Sequence, residues 1–163
     1  MMAVDWFVAL LAATVVVRGL GAGLIYDVAL VGLPARRRIG ATSYATFARA
    51  NFEVNGLKTY GPISIVGLLL TITIAGWAFA RADSPAVTWT LSFALFATVL
   101  AFLGTFRALP AIMSVRRAPD DPSVLSPLLD QFARWHTFSA VWQVIAFVAL
   151  VVALALAPGS GIG

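Results

Sequence analysis

The sequence predicts an all-α integral membrane four-helix bundle with a short amphipathic surface helix between its first and second spans. Of the 163 residues, 61% are hydrophobic and only 11% charged. The apolar residues gather in blocks of about twenty, the length that crosses a hydrocarbon core of roughly 30 Å at about 1.5 Å per residue. Basic side chains and tryptophans stand at the ends of those blocks, as topology signals and interfacial anchors do. A water-soluble domain of this size carries roughly a quarter charged residues and cannot hide such an apolar excess. The bilayer is therefore the expected solvent, and residues 1–163 read as one four-span domain.

The first span is expected over about 4–33, stopping at Pro34, whose missing N–H and ring disfavour helix continuation, just before Arg36, Arg37 and Arg38. The block is too long for a signal-peptide core and has Asp5 where a leader carries basic residues, so it reads as a retained helix. Between Ala41 and Asn55, Tyr44, Phe47, Asn51 and Val54 recur at helical spacing with Arg49 and Glu53 among them, and Gly56 follows as a natural C′ residue. This is the amphipathic surface helix. Gly61-Pro62 opens the second span, about 62–80, with Arg81 and Asp83 at its exit. Ser84-Pro85 is an N-cap and N1 pair that starts the third span, about 85–106, before Arg107 and Pro110. Ser126-Pro127 repeats that signal and starts the fourth, about 127–157, with an amphipathic foot of Leu128, Leu129, Phe132 and Trp135 and an end at Pro158.

Nine of the eleven basic residues lie in or beside the first and third loops, and only Arg81 lies outside the spans on the other side. The positive-inside rule then makes those loops cytoplasmic and both termini extracytoplasmic, in a multi-pass protein of the cell (inner) membrane. Trp6, Trp77 and Trp89 fall at the outer boundary, and Trp135 and Trp142 near the inner one. The same placement accounts for the net charge of +4 without nucleic acid as a partner. No cysteine is present, which removes disulfides, thiolate metal sites and Fe–S clusters.

Charges at membrane depth cost at least about 2.5 to 3.5 kcal/mol each and so mark functional candidates. Arg18 is the deepest, counted as lying beyond the midplane towards the outside, and Asp27 stands about one turn inside the cytoplasmic boundary. Nine residues apart, they fall on opposite faces of a straight helix and need separate partners. Gly19 and Gly23 share the face of Asp27 and form a small-xxx-small seam on which another helix can pack. In the fourth span His136, Ser139 and Gln143 form a polar stripe within reach of Asp27 and Arg107. One histidine makes a poor metal or haem set, so no metal and no cofactor is expected. Tyr26 and Tyr60 read as interface anchors. Asn51, Glu53 and Arg49 read first as a solvated face, with Asn51 also a candidate ligand contact. No Ser–His–Asp order, phosphate-binding glycine loop or metal-binding helix motif is present, so conventional hydrolases, nucleotide enzymes and zincins find no support in the sequence.

The order GLGAGLIYD, a proline soon after it, YATFARAN, GPISIVGLLL, RALP and RWHTFSAVWQ resembles the anthrone-oxygenase-like family of small four-helix membrane proteins, over most of the chain. The resemblance implies a membrane-embedded pocket for a lipophilic, often polycyclic aromatic molecule, and a cofactor-free oxidation of an anthrone to an anthraquinone. It rests on the glycine-rich first span, Pro34, Pro110 and the Arg134-Trp135 pair. Under it Asp27 or His136 is the base, Arg18 or Arg107 stabilises an enolate oxygen, and Trp135 and Trp142 stack on the rings, with Tyr26, Gln143 and Asn51 as further ligand contacts. The competing class is a non-catalytic accessory or lipid-binding subunit, as a homo-oligomer or within a larger membrane complex. A transporter ranks below both, since neither an inverted repeat nor matching broken helices occur. The discriminating feature is whether Arg18, Asp27, His136 and Gln143 converge on one cavity.

Overall fold

The computed structural model describes residues 5–53, 57–82 and 84–157, and they are all-helical, with four helices long and apolar enough to cross a membrane. Span 1 is built from α1 (Trp6–Asp27), a π-helical segment (Val28–Gly32) and α2 (Leu33–Ile39). The short helix α3 (Ala41–Asn51) follows, and α4 (Leu57–Arg81), α5 (Pro85–Arg117) and α6 (Pro122–Leu156) form the other spans. Packing closes a ring in which α1 touches α4, α4 touches α5, α5 touches α6 and α6 returns to α1, with the α5–α6 pair the most extensive.

Four helix ends differ from the sequence reading, the simplest being span 2, which begins at Leu57 and carries Pro62 inside α4 instead of opening at Gly61-Pro62. Span 1 does not stop at Pro34. The π segment ends two residues before it, with the Leu33 N–H bonded to Val28 O five residues back, and this wider turn lets the chain run on through Pro34 to Ile39. The actual break is Gly40, at φ 85°, a conformation that glycine adopts without strain and that turns the chain into α3. Span 3 does not end at Phe106 either: α5 carries Pro110 inside it and continues to Arg117. Span 4 begins at Pro122, where Asp121 is the N-cap, so Ser126-Pro127 lies inside α6. Pro122 at the first helical position loses nothing, because first-turn N–H groups have no intrahelical partner, whereas Pro127, five residues on, forgoes one bond. Val4, Gly56, Asp83 and Pro158, used above to bound elements, lie outside the described residues.

These extensions make α5 and α6 each about 50 Å long, well beyond a roughly 30 Å hydrocarbon core. The surplus lies at the end of the bundle that carries the first and third loops, the basic end. There α2, α3 and the near parts of α5 and α6 enclose a second core of Leu33, Tyr44, Ala48, Ile112, Leu125 and Leu129, distinct from the Leu11, Ile74, Leu91 and Leu150 core nearer the chain termini. Helix α3 turns Tyr44, Ala45 and Ala48 inward, while Phe47 is 60% exposed and Asn51 exposed, so the expected Tyr44/Phe47/Asn51 stripe is not its buried face. Arg49 fastens α3 to the α5–α6 turn by donating to Val115 O at 3.1 Å, Ala118 O at 2.8 Å and the Asp120 carboxylate at 2.5 Å.

A candidate functional site on the bundle axis

About 15 to 21 Å along the helix axes from the terminal ends, all four spans place polar or small residues close to one level. Arg18 of α1, Thr71 of α4, Thr98 of α5 and Gln143 of α6 are all buried there. The α1 and α5 helices stand diagonally across the ring, yet the Arg18 guanidinium spans that diagonal, donating to Thr98 Oγ1 at 3.0 Å. It fits because α4 presents Gly67: a Cβ there would lie 2.9 Å from Arg18 Cδ. Arg18 stands about 18 Å from the Trp6 end of span 1 and about 31 Å from its Ile39 end.

The chemistry of this layer is unbalanced. Arg18 is 3% exposed and, among the described residues, no carboxylate pairs with it. Its Nε–H is buried with no hydrogen-bond partner. Thr71 and Thr98 return their own hydroxyl protons to the carbonyls of Gly67 and Ala94, so the Thr98 oxygen is left free to accept from Arg18. Gln143 forms no hydrogen bond with the described residues. A guanidinium removed from water without a counter-ion costs several kcal/mol, and an orphaned N–H adds about 1–3 more.

Tyr26, Asp27, Arg107, Trp135 and His136 occupy a second level, about 13 Å further along α1. His136 Nε2 lies 3.2 Å from Ile25 O, and its ring packs on Phe132 at a 32° tilt with centroids 5.0 Å apart. The Arg107 guanidinium sits 5.4 Å from the Trp135 ring centroid, a cation–π contact. Tyr26 and Asp27 are exposed beside them. Trp135, Phe138, Trp142 and Phe96 continue as edge-to-face and tilted pairs at 5.9 to 6.2 Å along the α5–α6 surface. The candidates therefore divide into an axial set, Arg18 and Gln143, and a rim set, Tyr26, Asp27, Arg107, Trp135 and His136, with Trp142 in the aromatic row and Asn51 apart on α3. Among the described residues no three histidine or carboxylate side chains gather as a metal site would need.

The Gly19–Gly23 seam is half present. A Cβ at Gly19 would meet the Phe147 ring at 2.9 Å, whereas Gly23 has nothing within 4 Å. The close seam is instead between α5 and α6, where Ala94, Ala97, Ala101, Gly104, Ala108 and Ala111 line the buried face of α5. A Cβ on Gly104 would lie 3.0 Å from the Ser139 backbone nitrogen, and Ser139 Oγ crosses the seam to Ala101 O and Thr105 Oγ1, both at 2.9 Å. The small residues at three- and four-residue intervals are the signal that locates this seam in the sequence. Two clefts open at the rims: one of about 20 Å³ beside Asp5, Arg81 and Thr88, and one of about 210 Å³ between span 1 and α6 at the basic end.

No family model, curated protein or solved structure matches the chain.

Proposed function

We propose that this chain is a membrane-embedded binding protein for a lipophilic molecule that presents a hydrogen-bond acceptor to the bundle axis, with Arg18 as its polar anchor. The observation that carries the reading is the guanidinium without a counter-ion among the described residues: a charge and an unpartnered Nε–H held away from water, at the level of Gln143. An acceptor such as a carbonyl, enolate or carboxylate on the ligand would satisfy the donor and offset the charge. The bilayer both holds the protein and supplies the ligand, and positive-inside asymmetry supports the inner membrane with the basic end cytoplasmic and both termini outside.

The anthrone-oxygenase-like reading is a narrower form of the same proposal. Its chemistry needs a base within hydrogen-bond reach of an acidic C–H and a donor at the neighbouring oxygen. Arg18 and Asp27 are too far apart along α1 to serve adjacent atoms, so a single substrate would use His136 or Asp27 with Arg107 and Trp135 at the rim. The accessory-subunit reading is favoured by a different observation, the tight α5–α6 seam, and by the absence of Arg18, Asp27, His136 and Gln143 from the walls of either cleft.

Arg18→Met separates these readings. For a ligand anchor, the variant folds and inserts, because the buried charge and its desolvation cost leave together, and small molecules that co-purify with the wild type are lost from its mass spectrum. If the variant keeps the same molecules in the same amounts, Arg18 is not an anchor. A fall in thermal stability with no change in bound molecules assigns Arg18 to packing and favours the subunit.

A further inference from the structure

The larger cleft lies apart from the Arg18 layer. It opens between the stretch from the π segment into α2 and the facing side of α6, with apolar walls from Ala29, Leu33, Pro34 and Ala133 and polar ones from Arg36, Arg37, Asp130 and Thr137. We propose that this cleft seats the phosphate headgroup of an anionic phospholipid, with Arg37, Arg36 and Thr137 as its polar contacts.

Three features of the cleft point to that occupant. Thr137 and Ala29 stand about 29 to 35 Å along the axes from the terminal ends, where hydrocarbon gives way to headgroups, and Arg36, Arg37 and Asp130 lie beyond them. The volume of about 210 Å³ is several times the roughly 30 Å³ share of one water and suits a headgroup rather than a whole lipid. Its donors are also uncommitted or shareable. Arg37 is exposed and has no ion pair among the described residues, while Arg36 is steadied by Asp130 and still brings further N–H donors. Thr14, Thr71, Thr98 and Thr105 each return the hydroxyl to the carbonyl four residues back, but Thr137 forms no such bond among the described residues. With two arginines against one carboxylate the cleft is net cationic, as basic pockets that hold acidic headgroups between spans are. A lipid rather than free phosphate is favoured because Leu30 and Val31, on the π segment beside the cleft, are exposed and offer an acyl chain an apolar track.

The test is native mass spectrometry of the full chain in detergent with added dioleoylphosphatidylglycerol, dioleoylphosphatidylcholine or sodium phosphate. Phosphatidylglycerol adducts are expected at several-fold lower concentration than phosphatidylcholine adducts. Arg37→Gln, which breaks no ion pair, should raise the half-saturating phosphatidylglycerol concentration about fivefold, the effect of one basic residue near an anionic surface. Ala133→Leu, which fills the cleft without changing charge, should do at least as much. Arg117→Gln, an equal charge change at an exposed position away from the cleft, should leave binding unchanged. Equal retention of the two lipids overturns the proposal, as does an equal effect of Arg37→Gln and Arg117→Gln, which assigns the preference to diffuse charge. Displacement of phosphatidylglycerol by millimolar phosphate would replace a lipid seat with a phosphate site. Ala133→Leu and Arg37→Gln lie away from the Arg18 layer, so a loss of phosphatidylglycerol on these variants reports on the cleft alone, and the cleft and the axial site fail or stand separately.

Discussion

Arg18 is tolerated inside the bundle because its neighbours were built around it: Thr98 accepts one donor across the diagonal, and Gly67 omits the side chain that would collide with Cδ. The two positions should therefore be coupled. Gly67→Ala is expected to cost about 1–2 kcal/mol in the wild type, because the guanidinium is pushed off Thr98 when the new methyl arrives. In an Arg18→Met background the flexible thioether can move aside, so the same change should cost less by at least about 0.5 kcal/mol. Additive costs in a double-mutant cycle on detergent melting temperatures would show that Gly67 serves the helix backbone and not the arginine. A second residue-scale expectation concerns the α5–α6 turn. Asp121 accepts from the Ser123 hydroxyl at 2.7 Å and the Ser123 N–H at 2.8 Å, and these bonds hold its carboxyl below the ordinary aspartate value. A carboxyl lowered on folding contributes stability that is present in full above the unfolded value of about 3.9 and is lost as pH falls through the lower folded value. Between pH 5 and pH 3 the wild type should therefore lose more stability than Asp121→Asn. Parallel acid profiles would remove the carboxylate from the cap.

Among the elements, the α5–α6 pair is the rigid spine and the other helices are fitted to it. Gly104→Ala should destabilise by about 1–3 kcal/mol, because the added methyl meets the Ser139 backbone, which cannot rotate away. Gly23→Ala is the control: with open space around it, the substitution should be neutral or raise stability by up to about 1 kcal/mol through helix propensity. A larger loss at Gly23 than at Gly104 would reverse this assignment of the seam. Element identity was legible from the sequence because a twenty-residue apolar block has one solution in a bilayer, a helix with its backbone bonds internal. Element ends were not. Pro34, Pro110 and Pro127 read as stops or starts, yet each lies in helix, at the cost of one bond or with a π turn that widens the path, while the residues that set the breaks are Gly40 and the Asp121-Pro122 pair. Packing was partly legible: Gly19 does meet a neighbouring helix, but the alanines of α5 carry more of the close approach than the more conspicuous glycines of α1.

Over the whole molecule the two ends differ in kind. Among the described residues the terminal end closes on apolar packing and the ion pair of Asp5 with Arg81 at 3.1 Å, whereas the basic end projects a helical cap with its own core and pairs such as Arg36–Asp130 and Arg49–Asp120. That the polar candidates separate into an axial level and a rim level was not readable from spacing, because spacing gives the face of a helix and not which helices lie opposite across the ring. The ring order does explain why Arg18 reaches Thr98, a residue that no motif marked. The asymmetry of the ends also yields an orientation. Insertion resists moving arginine and lysine across the membrane, and acidic residues offset this little, so the cap with nine basic residues should remain cytoplasmic even though two of its arginines are paired. The opposite end presents one arginine outside the membrane core. Asn51 on α3 and Ala86 in the first turn of α5 are exposed at the two ends and suit cysteine labelling in a chain with no native cysteine. A membrane-impermeant maleimide applied to intact cells should modify Ala86→Cys, and Asn51→Cys only after permeabilisation. The reverse pattern would invert the bundle and turn the arginine-lined cleft towards the outer leaflet. Labelling of both sites in intact cells would mean that the cap is not held on one side, and that charge asymmetry does not set the topology of this chain.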